Sequence, residues 1–383
     1  MDQTFLNQAY QNPAPNLLAD VCEKAATMDN VIDLSIGDPD LPTPVAITEA
    51  AFKAVKAGDS HYTAAMGKPE LRAAIADFYT QRFNRPTQAD QVMVTVGAEH
   101  ALFLVLQALL NPGEEVIVLE PSFSPYVAQV KLAQGVPVEV ATDATKGFAL
   151  DITALKQAVT PKTKAIVINS PNNPTGNVLT VAEAKALAEV AIENNLMILS
   201  DEIYADYVEP GVEFVSLATY APANTTIVSG FSKNFAMTGW RIGYVVGPDW
   251  LVEAVGRVND SVTFSAPTPS QDAALFALAH YDELTKPVVN EFKNRLAYLN
   301  QALAKVSWLK LIPSMGSIYL FPSIQATGMD SLSFADKLLN EAGILVVPGV
   351  AFGQSGEGFV RIAATQKQAV LEEAVKRMKK LEW

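Results

Sequence analysis

Between about Pro44 and His280 the chain alternates short runs of β-branched residues with longer helical stretches, and this alternation restricts the fold more than any other feature. Val92–Val96 reads as a strand leading into a helix that runs through Leu110. Val116–Leu119, Val136–Val140, Ala165–Ile168, Met197–Leu199, Thr226–Val228 and Ile242–Val246 continue the strand series. Helices are expected from Ser124, over Asp151–Val159 and over Val181–Asn194. A parallel strand pair needs a crossover, normally a helix lying on one face of the sheet. The pattern therefore predicts an α/β fold: a mainly parallel, seven-stranded sheet covered by helices on both faces. After His280 the texture changes. A polar helix of roughly Pro287–Val306 precedes separated strand candidates at Leu309–Ile312, Ile318–Phe321, Ile344–Val347 and Phe359–Ile362. These suit a smaller α/β domain. The expected division is an N-terminal segment, 1–43, packing with the small domain, a large domain, 44–284, and a small domain, 285–383.

A chain of 383 residues is long for one domain, so two packed domains around a cleft are expected. The net charge of −13 argues against nucleic acid or an anionic membrane as main partner. Lys376, Arg377, Lys379 and Lys380 cluster near the end of a terminal helix, where cations suit the helix dipole. Cys22 is the only cysteine, which leaves no disulfide framework, no thiolate zinc cluster and no dithiol redox chemistry. The N-terminus lacks the basic start and apolar run of a signal peptide. The longest apolar segment, Ala101–Leu110, is too short to span a membrane. A soluble cytoplasmic protein is the expectation.

Four segments could carry chemistry. Lys233 follows the strand Thr226–Val228, at the sheet edge where open α/β folds bind ligands. Phe231, Phe235, Met237 and Trp240 would partly desolvate it and leave its amine nucleophilic. Taken alone, a lysine at a strand end is usually just exposed. Arg241, between Gly239 and Gly243 and entering a buried strand, needs an anionic partner, and a phosphate would serve. Val94-Thr-Val-Gly97-Ala98-Glu99-His100 runs from strand through glycine into a helix N-terminus, whose free N–H groups can cradle a phosphate. Such junctions are common in this fold class, and the dinucleotide and Walker glycine patterns are absent. Met197-Ile-Leu-Ser-Asp201-Glu202-Ile-Tyr204 ends a hydrophobic strand in two carboxylates. Asp201 there could pair with a protonated pyridine nitrogen, with helix capping or magnesium ligation as competing uses. Ile168-Asn-Ser-Pro-Asn172-Asn173-Pro174-Thr-Gly176 is a strand followed by a rigid loop that can aim an amide.

In this order and spacing, the segments SPNNPTG, DEIY and SKNFAMTGWRIGY resemble the class I/II pyridoxal-phosphate aminotransferases of fold type I. The resemblance runs from LSIGDPDLPTP at Leu34 to VRIA at Val360. It implies pyridoxal 5'-phosphate as cofactor and assigns expected roles. Lys233 resembles the Schiff-base lysine that also shuttles the α-proton. Asp201 resembles the partner of the ring nitrogen, and Asn173 and Tyr204 the pair holding the phenolic oxygen. Phe123 falls where the family stacks an aromatic ring on the cofactor, with Tyr126 beside Asp201. Gly97, Ala98, Glu99 (through its backbone) and Arg241 look like the phosphate site. Tyr62 resembles the tyrosine that reaches the neighbouring subunit's phosphate, implying a homodimer with shared active sites. Arg361 matches the arginine that clamps the substrate α-carboxylate, and Gly37 the glycine facing the same group.

The chain also departs from the family. Gly230 stands where many members carry a phosphate-binding hydroxyl, so Ser232 or Ser229 would compensate. Met315-Gly-Ser-Ile-Tyr319 replaces the more usual glycine-then-aromatic pattern, and no counterpart of the second, dicarboxylate-binding arginine is evident. The expected activity is transamination between an L-amino acid and a 2-oxo acid. A carbon–sulfur β-lyase using the same cofactor is the alternative within the family, and a non-catalytic cofactor-binding regulator the alternative outside it.

Overall fold

The computed structural model describes residues 5–6 and 23–382. In chain order its strands are β1 (Ile32–Asp33), β2 (Val92–Thr95), β3 (Glu115–Glu120), β4 (Val136–Ala141), β5 (Thr163–Asn169), β6 (Met197–Asp201), β7 (Thr225–Gly230), β8 (Gly243–Val246), β9 (Tyr319–Leu320), β10 (Ile344–Leu345), β11 (Val347–Pro348) and β12 (Val360–Ala363). Seven of them form one sheet in the order β2-β8-β7-β6-β5-β3-β4. All seven expected strands fall in it. Neighbours are parallel except at β8, which runs antiparallel to both β2 and β7. Strand β2 therefore points the same way as β7. The C-terminal ends of β2, β3, β5, β6 and β7 and the start of β8 all meet one edge.

Alternate residues along each strand point to opposite faces, and both faces here are buried. Met93, Ala165, Val167, Leu199, Val228 and Val245 pack on one side with Leu102, Val105, Leu106, Val130 and Val252. Ile117, Ile166 and Ile198 pack on the other with Leu155, Leu187 and Val190. On that second side β2, β7 and β8 bury Val92, Val94, Ile227 and Val246 against Ile47, Leu71, Ile75 and Ala274. A strand covered on both faces gains nothing from polar alternation, which is why these runs read as continuously apolar.

The C-terminal part builds two smaller sheets. Strands β11, β12 and β9 pair antiparallel in that order, and β1 pairs parallel with β10. Leu296, Leu299 and Leu303 pack with Phe334, Leu338, Leu371 and Val375, and Ile32 and Leu34 join the same cluster. Of the N-terminal segment 1–43, residues 1–4 and 7–22 lie outside the described residues. Arg295, almost fully buried, pairs with Asp40 at 2.7 Å and Glu291 at 2.8 Å.

Three local expectations change. The helix expected from Pro287 begins at Tyr281 and runs to Leu303 with Pro287 inside it. Pro287 lies within the second turn, where its missing N–H leaves one carbonyl unbonded without stopping the helix. Leu309–Ile312 is not a strand: only Lys310 pairs, with Ser323. Ile344–Val347 divides into β10 and β11, because its two halves serve different sheets.

Gly243 permits a close main-chain approach at this edge. A Cβ there would lie 2.5 Å from the Gly97 carbonyl carbon and 2.6 Å from the Ala98 nitrogen. Both are main-chain atoms that cannot rotate away. Gly243→Ala is expected to cost about 1–3 kcal/mol through this overpacking, read as a lower urea midpoint with an unchanged denaturant slope.

Candidate active site

The shared strand edge opens into a cavity of about 460 Å³ bordered by Gly37, Ala98, Glu99, Phe123, Tyr126, Asn173, Asp201, Tyr204, Ser232, Lys233, Arg241 and Arg361. Residues far apart in sequence meet here because the parallel strands deliver their C-terminal ends side by side. Lys233 lies in the connection between β7 and β8, and its Nζ donates to the Gly37 carbonyl. Phe231, Phe235 and Met237 do not surround the amine as expected. They pack into the core on the far face of the sheet with Ile242 and Tyr244. Trp240 donates from Nε1 to Thr43 Oγ1 at 3.1 Å.

Asp201 ends β6 with its carboxylate buried. Tyr126 Oη donates to Oδ2 at 2.7 Å, and the Ile203 amide donates to Oδ1 at 3.1 Å. Burial holds its pKa above the usual carboxylate range, opposed by those two hydrogen bonds and by the charge of Lys233. Asn169, at the end of neighbouring β5, donates from Nδ2 to the Asp201 carbonyl at 2.9 Å. Its Oδ1 accepts from the Asn173 amide at 2.7 Å. Asn169 thus links the Asp201 strand end to the loop bearing Asn173, a role the sequence reading did not single out.

Arg361 emerges from β12 as a buried guanidinium. Its Nη1 donates to Asn173 Oδ1 at 2.9 Å and its Nη2 to the Ser35 carbonyl. The guanidinium carbon sits 4.5 Å from the Tyr319 ring centre and 4.8 Å from that of Phe352. Nε is buried without a hydrogen-bond partner among the described residues. A buried guanidinium with an open donor in a cavity wall is suited to an incoming carboxylate. Phe352 was also unmarked in the sequence. It belongs to a short turn after β11, and only the folding of that turn over the strand ends brings it to Arg361.

At the opposite end, Gly97 has φ of +87°, a conformation glycine adopts without strain. It leads into the helix Ala98–Leu109. A Cβ at Gly97 would stand 2.9 Å from Arg241 Nη2, so the helix start and the guanidinium face one another. Arg241 Nη1 donates to the Thr238 carbonyl at 2.8 Å. Ser232 borders the cavity, whereas Ser229 is buried on β7 opposite Tyr244. Phe123 also borders the cavity, with its ring edge-on to Tyr126 at 5.7 Å. Tyr62 is not brought into this cavity: it is 87% exposed and packs edge-on against Phe264.

Glu202 points away from the cavity. Its Oε1 accepts from Ser216 Oγ at 2.7 Å and Ser200 Oγ at 3.1 Å, while Oε2 is buried without a partner among the described residues. Burial pushes its pKa up to about 7, against an ordinary 4.5. Between those values the folded chain holds a proton the unfolded chain has lost, so this group's contribution is fully present below pH 4.5 and declines as pH rises towards 7. Glu202→Gln is expected to flatten that decline by at most ~1.4 kcal/mol per pH unit, measured by urea unfolding across the window.

Residues 29–378 match the family model described as aminotransferase class I and II. The chain is 40% identical to an aspartate aminotransferase of Pyrococcus abyssi, over 96% of this chain and 95% of the relative. It is 39% identical to aromatic-amino-acid aminotransferase 2 of Thermococcus litoralis, over the same shares of the two chains, 96% and 95%. The structure of Thermus thermophilus aspartate aminotransferase with maleate superposes with a TM-score of 0.93 at 36% identity, covering 98% of this chain and 99% of that one.

Proposed function

The chain belongs to the class I and II aminotransferases and is an aminotransferase; from that premise we propose that it moves an amino group between an L-amino acid and a 2-oxo acid using pyridoxal 5'-phosphate held on Lys233. The observation that carries this reading is the convergence in one cavity of an amine, a buried carboxylate and a buried guanidinium: Lys233, Asp201 and Arg361. The residues present fit the cofactor. Asp201 takes its hydrogen bonds from neutral donors only, so a protonated ring nitrogen would supply the positive charge that favours its ionised form. The backbone at Gly97, Ala98 and Glu99, with Arg241 and Ser232, would hold the phosphate. Asn173 and Tyr204 would hold the phenolic oxygen, and Phe123 would cover the ring.

When bound, the cofactor supplies an electron-withdrawing ring that stabilises negative charge at the substrate α-carbon. Arg361 would bind the α-carboxylate, with Gly37 facing the same group, fixing the substrate so that one α-hydrogen meets Lys233. Lys233 Nζ, freed by the substrate's amine, would take that proton off the α-carbon in the first half-reaction and deliver a proton to the α-carbon of the second substrate in the reverse half. Tyr126 keeps the Asp201 carboxylate aimed into the cavity throughout. Tyr62, exposed and outside its own chain's cavity, is read as serving the partner's phosphate site in a homodimer. The same reading keeps a large unit, 44–284, and a small unit, 285–383, joined through the helix Tyr281–Leu303, with segment 1–43 on the small unit. No helix among the described residues is long and apolar enough to cross a membrane. Cytoplasmic residence belongs to this proposal, supported by the single cysteine of the chain.

Among the described residues the cations bordering the cavity are Lys233, Arg241 and Arg361, each with a role in this proposal. Ile36, Phe123, Tyr319 and Phe352 make much of the remaining wall. Aromatic or aliphatic amino acids therefore suit it better than aspartate, whose second carboxylate would meet no further cation among the described residues.

Purified protein is expected to carry a visible absorbance band that borohydride fixes covalently to Lys233. Lys233→Ala should lose at least ~100-fold in kcat without losing the fold. Full turnover by that variant, or no band in the wild type, would overturn the reading. A panel of amino donors should favour aromatic side chains over aspartate by ~10-fold or more in kcat/KM. Release of pyruvate and ammonia from cystathionine without an added oxo acid would instead identify the β-lyase.

A further inference from the structure

We propose that Tyr319 is a positioning residue with two separable tasks: its hydroxyl sets the hydrogen bonding of Tyr204, and its ring holds the Arg361 guanidinium in place. The inference rests on the functional reading above for what Tyr204 and Arg361 bind.

The β9–β12 register puts Tyr319 opposite Ala363, with Ile362 opposite Leu320. Arg361 lies two residues before Ala363, hence on the same face and diagonal to Tyr319, within reach of two long side chains. The guanidinium carbon is accordingly 4.5 Å from the Tyr319 ring centre, a stacking geometry for a delocalised cation. The ring centre of Phe352 lies 4.8 Å from the same carbon. With two rings against it, and Nη1 and Nη2 bonded to Asn173 and Ser35, the guanidinium has little freedom to turn.

The hydroxyl end is equally constrained. Tyr319 Oη and Tyr204 Oη are 3.1 Å apart. A Cβ added to Gly37 would fall 1.6 Å from Tyr319 Oη, so Gly37 leaves space that this hydroxyl occupies. The approach to β9 is pinned to the turn carrying Tyr204. The Ser317 amide donates to the Tyr207 carbonyl at 2.7 Å, and Val208 bridges to Gly316. A phenol has one proton to donate and two lone pairs. With Tyr319 donating to Tyr204 Oη, the Tyr204 proton remains available to the cavity. Burial and Tyr319 both hold the Tyr204 pKa well above the usual tyrosine value, which keeps that proton in place at working pH.

Two variants separate the tasks in the cofactor-loaded enzyme. Tyr319→Phe keeps a ring over Arg361 and removes the hydroxyl. It is expected to leave KM for the amino donor within about twofold and to lower kcat by about tenfold, the cost of one well-placed hydrogen bond. It should also raise the pH midpoint of the visible absorbance by about one unit, because a poorer donor at the phenolic oxygen stabilises the deprotonated form less. Tyr319→Leu removes both features and should add a rise in KM of about tenfold.

Thermal melting of each variant separates these effects from unfolding. A cycle with Tyr204→Phe supplies the remaining check. If the hydroxyl acts through Tyr204, the double variant Tyr204→Phe/Tyr319→Phe has the midpoint of Tyr204→Phe alone. Wild-type kcat and midpoint in Tyr319→Phe, equal KM in the Phe and Leu variants, or additive midpoints in the double variant would each overturn the proposal. A wild type that takes up no pyridoxal phosphate would instead defeat the functional reading itself.

Discussion

A carboxylate buried at the end of a strand that is covered on both faces is costly unless its surroundings are arranged for it. Asp201 is in that position, and much of the cavity is organised around it. Its oxygens are met by Tyr126 from the segment after β3 and by the amide of Ile203. Its carbonyl is met by Asn169 from β5. Two of these contacts come from the segment after β3 and the end of β5, so the parallel register of β3, β5 and β6 is a precondition for holding the charge. In turn, Asn169 fixes the loop that aims Asn173, and Asn173 receives Arg361. A continuous chain of hydrogen bonds thus runs from the buried acid to the guanidinium of another sheet.

That chain also relates the large sheet to the three-stranded sheet. Arg361 is supplied by β12, and its two ring neighbours come from β9 and from the turn after β11. The Ser35 carbonyl, from the segment after β1, accepts from the guanidinium's Nη2. Three separate stretches of chain therefore meet at one cation. None would have reason to approach without the others, because a lone guanidinium in an apolar cluster would be unpaired. Gly37 belongs to the same stretch as Ser35. Its missing side chain admits the Tyr319 hydroxyl, while its carbonyl receives Lys233.

How much of this was legible follows from the range of the interactions. The seven strands of the large sheet could be read because each is a local run of apolar, β-branched residues. Lys233, Asp201, Asn173 and Arg241 stood out because each sits at a junction where an apolar run stops at a polar residue, proline or glycine. Asn169 sits at such a junction too, but nothing local distinguished it from Asn172 and Asn173 in the loop that follows. Phe352, an aromatic in a glycine-rich turn, gave no such signal. The desolvating role expected for Phe231, Phe235 and Met237 failed because adjacency in sequence does not fix side-chain direction. In a hairpin connection these side chains turned to the core and left the lysine to the cavity. Pro287 misplaced a helix start because proline favours the first helical position, whereas here it lies in the second turn, at the loss of one main-chain hydrogen bond.

By itself the sequence determined the α/β class, the sheet's strands and the chemical types available at its edge, since these depend on periodicity, composition and short motifs. Tertiary structure decided which of those groups share one cavity. It alone packed Arg361 against Tyr319 and Phe352, set Tyr319 against Tyr204 and left Tyr62 outside. The physical reason is distance along the chain. Strand formation is driven by neighbours a few residues apart, whereas the buried cation meets rings from β9 and the turn after β11 and oxygens from segments as far as 326 residues away, which only packing brings together.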